Sequence, residues 1–131
     1  MGRVKPEDRL ISPIPDYNGA GIYMIRNLVT GRMYIGSAEH IQNRIKVHDT
    51  AMRHGQCNQR FLDDIAKGHR FTCEVVEKCD NVMFVELRDR EEYYVRKYDC
   101  YNSGYNMQCV PTYKLEYYKD KDVIEWLTRK V

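Results

Sequence analysis

The sequence predicts a small α/β (α+β) domain on three features: a hairpin pattern from Gly21 to Gly36, two amphipathic helix patterns after it, and a strand pattern followed by a long helix. Before the hairpin, Met1 to Asn18 holds Pro6, Pro13 and Pro15 with few periodic apolar positions, so residues 1–19 read as an extended N-terminal arm. In the hairpin, Gly21-Ile22-Tyr23 and Tyr34-Ile35-Gly36 are the two strand-like words, continued by Met24 to Arg26 and by Arg32 to Met33. Asn27-Leu28-Val29-Thr30-Gly31 supplies the residue types that turn a chain back on itself. Strand side chains alternate, which places Ile22, Met24, Met33 and Ile35 toward a core and Tyr23 and Tyr34 together on the opposite surface.

From Glu39 or His40 to His54 the spacing of Ile41, Ile45 and Met52 predicts a helix that stops at Gly55. Asn58 can cap a second helix with Phe61, Leu62 and Ile65 turned inward and an end at Gly68. Phe71 to Cys79 is rich in strand formers. A long helix is expected over about Met83 to Tyr98, then a loop from Cys100 to Asn106. Residues 107–131 form a C-terminal extension with a terminal helix from Lys119 to Arg129 carrying Val123, Trp126 and Leu127.

At 131 residues and 43% hydrophobic content, one compact domain with a real core is the simplest organisation. No apolar run approaches a membrane span, and Met1 to Arg9 lacks the apolar block of a secretory signal, so no membrane association is expected. Cys57, Cys73, Cys79, Cys100 and Cys109 are an odd number without a Cys-x-x-Cys pair, which argues for reduced, buried thiols. The net charge of +2 does not by itself point to a polyanion partner. Its distribution is more telling: from Gly21 to Arg60, Arg26, Arg32, Arg44, Lys46, Arg53 and Arg60 face only Glu39 and Asp49, whereas Phe61 to Cys100 is net acidic. That asymmetry suits DNA on a basic face beside a carboxylate site, or a mixed solvated surface.

Glu91 is the residue whose position is hardest to explain by folding alone. On a wheel of about 100° per residue, Phe84, Leu87, Tyr94, Val95 and Tyr98 make an apolar stripe with Glu91 in its middle, while Glu92 points away. A carboxylate among core residues needs a compensating cation, hydrogen bonds or water, so it is either an ion-pair partner of Arg88 or Arg90 or a metal ligand. Arg44 and His48 lie one helical turn apart at the edge of the Ile41, Ile45, Met52 stripe. An arginine there can snorkel at the surface, and a histidine there can be a hydrogen-bonded packing residue.

The two tyrosine words with Arg44, His48, Glu91 and Asn106 in that order resemble the GIY-YIG nuclease superfamily, over roughly Ala20 to Asn106. Tyr34-Ile35-Gly36-Ser37-Ala38 and Gly104-Tyr105-Asn106 look most like the catalytic domains of phage and intron homing endonucleases. The resemblance implies a nuclease domain over residues 20–106, built on a small central antiparallel three-stranded sheet flanked by helices. It also implies a metal-dependent DNA endonuclease that hydrolyses phosphodiesters, with Mg2+ (or Mn2+) as cofactor and Tyr23, Tyr34, Arg44, His48, Glu91 and Asn106 as its catalytic set.

In such a site Arg44 would hold the scissile phosphate, Glu91 the metal, and a motif tyrosine the attacking water. Oxygen ligation suits magnesium better than zinc. A tyrosine with a pKa of about 10 would need positive charge from Arg44, His48 or the metal to act as a phenolate base. Both tyrosines can instead be packed strand aromatics, and turn chemistry explains Gly104-Tyr105-Asn106 nearly as well. Where relatives often carry a second histidine after the first helix, this chain has Cys57. The expected setting is the cytoplasm of a bacterium or phage-infected host, with a transient homodimer on DNA if both strands are cut. A repair or restriction nuclease, or a binding module on this fold that has lost turnover, are the alternatives.

Overall fold

The computed structural model describes residues 5–79 and 84–107. The expected terminal helix, the rest of the C-terminal extension and Cys109 lie outside them. The hairpin strands are β1 (Gly21–Asn27) and β2 (Met33–Ala38); α1 (Ile41–Arg53) and α2 (Gln59–Ala66) follow, then β3 (Phe71–Lys78) and α3 (Phe84–Lys97). The sheet is antiparallel throughout, in the order β2-β1-β3, which leaves β2 at an edge.

The turn forms as its residue types predict. Asn27 Oδ1 accepts from the N–H of Val29 at 2.7 Å and of Thr30 at 3.0 Å, and Gly31 takes a φ of +78° that a side chain would resist. Asn58 caps α2 by accepting from the Phe61 N–H at 3.1 Å.

The sheet is buried on both faces rather than one. Ile22, Met24 and Ile35 pack with Leu87, Val95, Cys79 and Cys100 on the α3 side. Tyr23 and Ile25 pack with Ile41, Ile45, Met52, Phe61, Phe71 and Tyr105 on the other. The phenol face expected at the surface is therefore a second core, roofed by α1 and α2. The unbroken apolar run Ile22-Tyr23-Met24-Ile25 is what a two-sided strand requires.

The N-terminal arm packs against this second core instead of merely preceding the domain. Ile11 is fully buried, forms an isolated parallel bridge with Phe71, and receives Asp49 beneath it. Asp49 Oδ1 accepts from the N–H groups of Leu10 at 2.7 Å and Ile11 at 3.1 Å, while its Oδ2 accepts from Arg53 Nε at 2.9 Å. A buried acid on α1 thus ties the arm to the domain, with its charge compensated one turn along the helix.

Glu92 also departs from expectation. It is 5% exposed, bonded to Arg96 Nε at 2.7 Å and to the Tyr101 hydroxyl, because α3 packs on its loop side as well as against the sheet. Tyr98, expected in the apolar stripe, is 39% exposed. Cys73, Cys79 and Cys100 are buried free thiols and Cys57 is a half-buried one.

Candidate active site

Alternation of an antiparallel strand turns the backbone groups of Met33, Ile35 and Ser37 outward along the free edge of β2. Each finds a partner from the later chain. Met33 C=O accepts from the Tyr105 N–H at 2.8 Å. The Asn106 amide closes on Ile35, with Oδ1 accepting from its N–H at 2.9 Å and Nδ2 donating to its C=O at 2.8 Å. Ser37 donates its hydroxyl to Glu91 Oε1 at 2.9 Å and its backbone N–H to the same carboxylate.

Glu91 therefore comes from the α3 face of the sheet, whereas Tyr23, Tyr34, Arg44 and His48 come from the α1 face. They approach one another around the β2 edge at Gly36, the register partner of Tyr23. A Cβ on Gly36 would collide with the hydroxyl and ring end of Tyr23, so the missing side chain is what lets the phenol lie across the edge strand.

Tyr23 Oη and His48 Nε2 are 2.7 Å apart. The Tyr34 ring stands edge-on to His48 at 5.2 Å between centroids and 6.3 Å from Tyr23. His48 is neutral at physiological pH: burial, reinforced by the Arg44 guanidinium, lowers its pKa to about 4. Burial is also the largest influence on Tyr23 and raises its pKa, with the Tyr34 and Glu91 charges adding to the effect and Arg44 opposing it. Positive charge does not win at Tyr23, so it stays a phenol rather than a phenolate. Glu91 is shifted upward by burial, against its Ser37 hydrogen bonds and Arg88. Ser37 is its hydrogen-bond partner, and Arg90 pairs with Glu77 at 3.2 Å.

The donor set suits a hard divalent cation. Glu91 spends Oε1 on Ser37, and among the described residues no group of three His, Cys, Asp or Glu side chains gathers as a metal cage. A site offering one carboxylate, to be completed by water and phosphate oxygens, would suit magnesium rather than zinc.

The other expected residues are placed plainly. Asn106 is 8% exposed and its amide is engaged on the Ile35 backbone, between Tyr34 and Gly36. Cys57 packs at the margin of the α1-side core with its thiol pKa raised by burial. Most of the basic half is internally committed. Arg26 pairs with Glu74, Arg32 with Asp64 and Arg53 with Asp49, and Arg60 Nη1 donates to the C=O groups of Tyr101, Gly104 and Asn106.

Two features escaped the sequence reading. Ser37 was visible from the register, since it lies two residues beyond the α3-facing Ile35. Less legible is the buried acid Asp64, whose Oδ2 accepts from the Tyr105 hydroxyl and, at 3.4 Å, from Asn27 Nδ2. It joins α2, the hairpin turn and the loop that carries Asn106, residues far apart in sequence.

Phenol, imidazole and guanidinium on one sheet face and a carboxylate on the other thus stand around one strand edge. The chain belongs to the GIY-YIG family: the model of the GIY-YIG catalytic domain matches residues 19–106. Among solved structures it is similar to the catalytic domain of the homing endonuclease I-TevI, with TM-score 0.60, 24% identity, and coverage of 67% of this chain and 97% of that one. A mutant form of the I-TevI catalytic domain matches with TM-score 0.61 and 23% identity, covering 67% of this chain and 92% of that one. Among curated proteins, no sequence matches the chain. No helix among the described residues is long and apolar enough to cross a membrane.

Proposed function

We propose that this nuclease domain is a divalent-metal-dependent DNA endonuclease of the homing type, hydrolysing phosphodiesters at the β2 edge. The observation that carries this reading is the approach of Tyr23, His48 and Arg44 from one sheet face and Glu91 from the other over Gly36. Tyr23 takes a proton from the attacking water while its own proton passes to His48 Nε2, which is unprotonated at neutral pH. The phenol then never has to ionise. Arg44 holds the scissile phosphate and offsets the charge that grows on it in the transition state. Tyr34 borders the same space and positions the phosphate or water. Glu91, oriented by Ser37, is the cation ligand. A magnesium or manganese ion held by Glu91 would supply positive charge to the leaving oxygen. Asn106 acts through Ile35 by fixing the edge strand.

Supercoiled plasmid incubated with the protein and magnesium is the direct test. The wild type should nick or linearise it, and Glu91→Gln should lose at least a hundredfold in rate while keeping its fold. Plasmid left intact by both proteins would refute catalysis, and equal cutting by both would refute Glu91 as the ligand. A repair or restriction role on the same chemistry would appear as a different cut-site distribution when products from random-sequence DNA are end-mapped.

A further inference from the structure

The outward side of α1 is unusual in its charge. Between Ile41 and Arg60 the only carboxylate is Asp49, which is 2% exposed and held by Arg53, so this stretch shows no acidic group to solvent. Arg44 and Lys46 are both exposed. Among the described residues, neither forms an ion pair with a carboxylate, unlike Arg26, Arg32 and Arg53. Val47, an apolar residue that is 57% exposed, lies between them. A groove of about 320 Å³ runs along this side, lined by Lys46, Val47, Thr50, Ala51 and Gln56.

The order of these side chains around the helix matters. At about 100° per residue, Arg44, Val47, Thr50 and Lys46 follow one another in steps of about 60°, 60° and 40°. On a helix about 11 Å across, that is an arc of about 15 Å beginning at Arg44 and ending at Lys46. Arg44 is the residue beside Tyr23 and His48, so the arc leaves directly from the candidate site. A polyanion held at Arg44 passes over a short apolar contact and a hydroxyl donor onto a second cation, without meeting a negative charge.

We propose that this side of α1, from Arg44 across Val47 and Thr50 to Lys46, is a docking surface for duplex DNA adjoining the cut. It rests on the nuclease reading above and extends it to the residues that hold the substrate beside the scissile bond. Lys46 and Thr50 contact backbone phosphates, and Val47 covers the sugar edge between them. These contacts position the duplex and carry no role in bond breaking.

The test is binding of the full chain to labelled random-sequence duplex DNA by fluorescence anisotropy in EDTA, at salt from about 50 to 200 mM. Lys46→Gln should weaken binding about three- to tenfold at the lower salt and reduce the slope of log affinity against log salt by about one. Val47→Asp should weaken it at least tenfold. Val29→Asp places the same charge at a comparably exposed apolar position on the hairpin turn, 68% exposed, and should leave binding unchanged. With magnesium, Lys46→Gln should raise KM and leave kcat within twofold.

Far-UV circular dichroism identical to wild type secures the fold of each variant, and a misfolded Val47→Asp would leave Lys46→Gln to decide. If wild type binds and cuts DNA while Lys46→Gln keeps its affinity and salt slope, or if Val29→Asp weakens binding as much as Val47→Asp, this surface is not the docking face and the nuclease reading stands. Wild type that neither binds nor cuts DNA overturns both.

Discussion

Tyr23 Oη and His48 Nε2 lie 2.7 Å apart in a pocket where burial keeps the phenol protonated and the imidazole neutral. Arg44 lies beside the pair, and among the described residues His48 forms no ion pair with a carboxylate, so its behaviour on acidification reports on the site directly.

In the fold His48 binds its proton only near pH 4, whereas in the unfolded chain it does so near 6.5. Between those values the unfolded state carries more protons, so stability falls as pH drops through that window, by an amount on the order of 3 kcal/mol at its full extent. Glu91 acts with the opposite sign. Its raised pKa favours the fold at low pH, and that contribution is lost as pH rises through the folded value. Urea midpoints measured from pH 7.5 down to pH 4.5 should therefore fall in the wild type and fall less in His48→Gln, whose amide can keep a hydrogen bond to Tyr23. Parallel profiles for the two proteins would show that His48 is not buried neutral.

Gly36→Ala is expected to damage the site without touching a reactive group. The new methyl would collide with the Tyr23 hydroxyl, and that ring is 1% exposed and held by His48, so it cannot swing away at little cost. Strain of this kind costs about 1 to 3 kcal/mol. Plasmid cleavage should fall at least a hundredfold, and the tyrosine absorbance and fluorescence should change as Tyr23 is displaced. Full activity in Gly36→Ala would mean the phenol does not need to cross the edge strand.

Much of this arrangement is legible in local sequence. Asn27 to Gly31 reads as a turn because Asn27 can accept two backbone N–H groups and Gly31 can take a positive φ. Asn58 reads as a cap, and the Ile41, Ile45, Met52 stripe reads as a helix face. What sequence hides is partnership at a distance. Asp49 falls in that same buried stripe, yet nothing nearby announces that Leu10 and Ile11 will supply its donors. Glu92 looks solvent-facing until Arg96 and Tyr101 close over it. Arg60 looks like one more DNA-facing cation until its guanidinium is seen collecting three loop carbonyls. In each case the charge pattern was visible and the compensating partner was not.

Asn106→Ala should be costly in stability. The substitution strands the N–H and C=O of Ile35, which is fully buried, at the edge of the sheet. Leaving two buried backbone groups unsatisfied costs about 2 to 4 kcal/mol, and the edge strand carrying Tyr34 and Gly36 loosens with it. Hydrogen exchange at the Ile35 amide should accelerate well before global unfolding does. If exchange there is unchanged while cleavage is lost, Asn106 would instead be acting on the substrate.

Ser37 is the last residue whose role can be isolated by mutation, because both of its donors go to one carboxylate. The hydroxyl and N–H together fix the Glu91 carboxylate against β2. Ser37→Ala keeps the backbone donor and removes the side-chain one, so the carboxylate gains rotational freedom while burial is little changed. Magnesium affinity, followed by tyrosine fluorescence or by calorimetry, should weaken about tenfold or more, the usual cost of losing a residue that orients a metal ligand. Thermal stability should change by no more than about 1 kcal/mol, the net worth of one such hydrogen bond. Ser37→Thr keeps the hydroxyl and should restore most of the affinity. Equal metal affinity in wild type and Ser37→Ala would show that Glu91 is oriented by its helix alone.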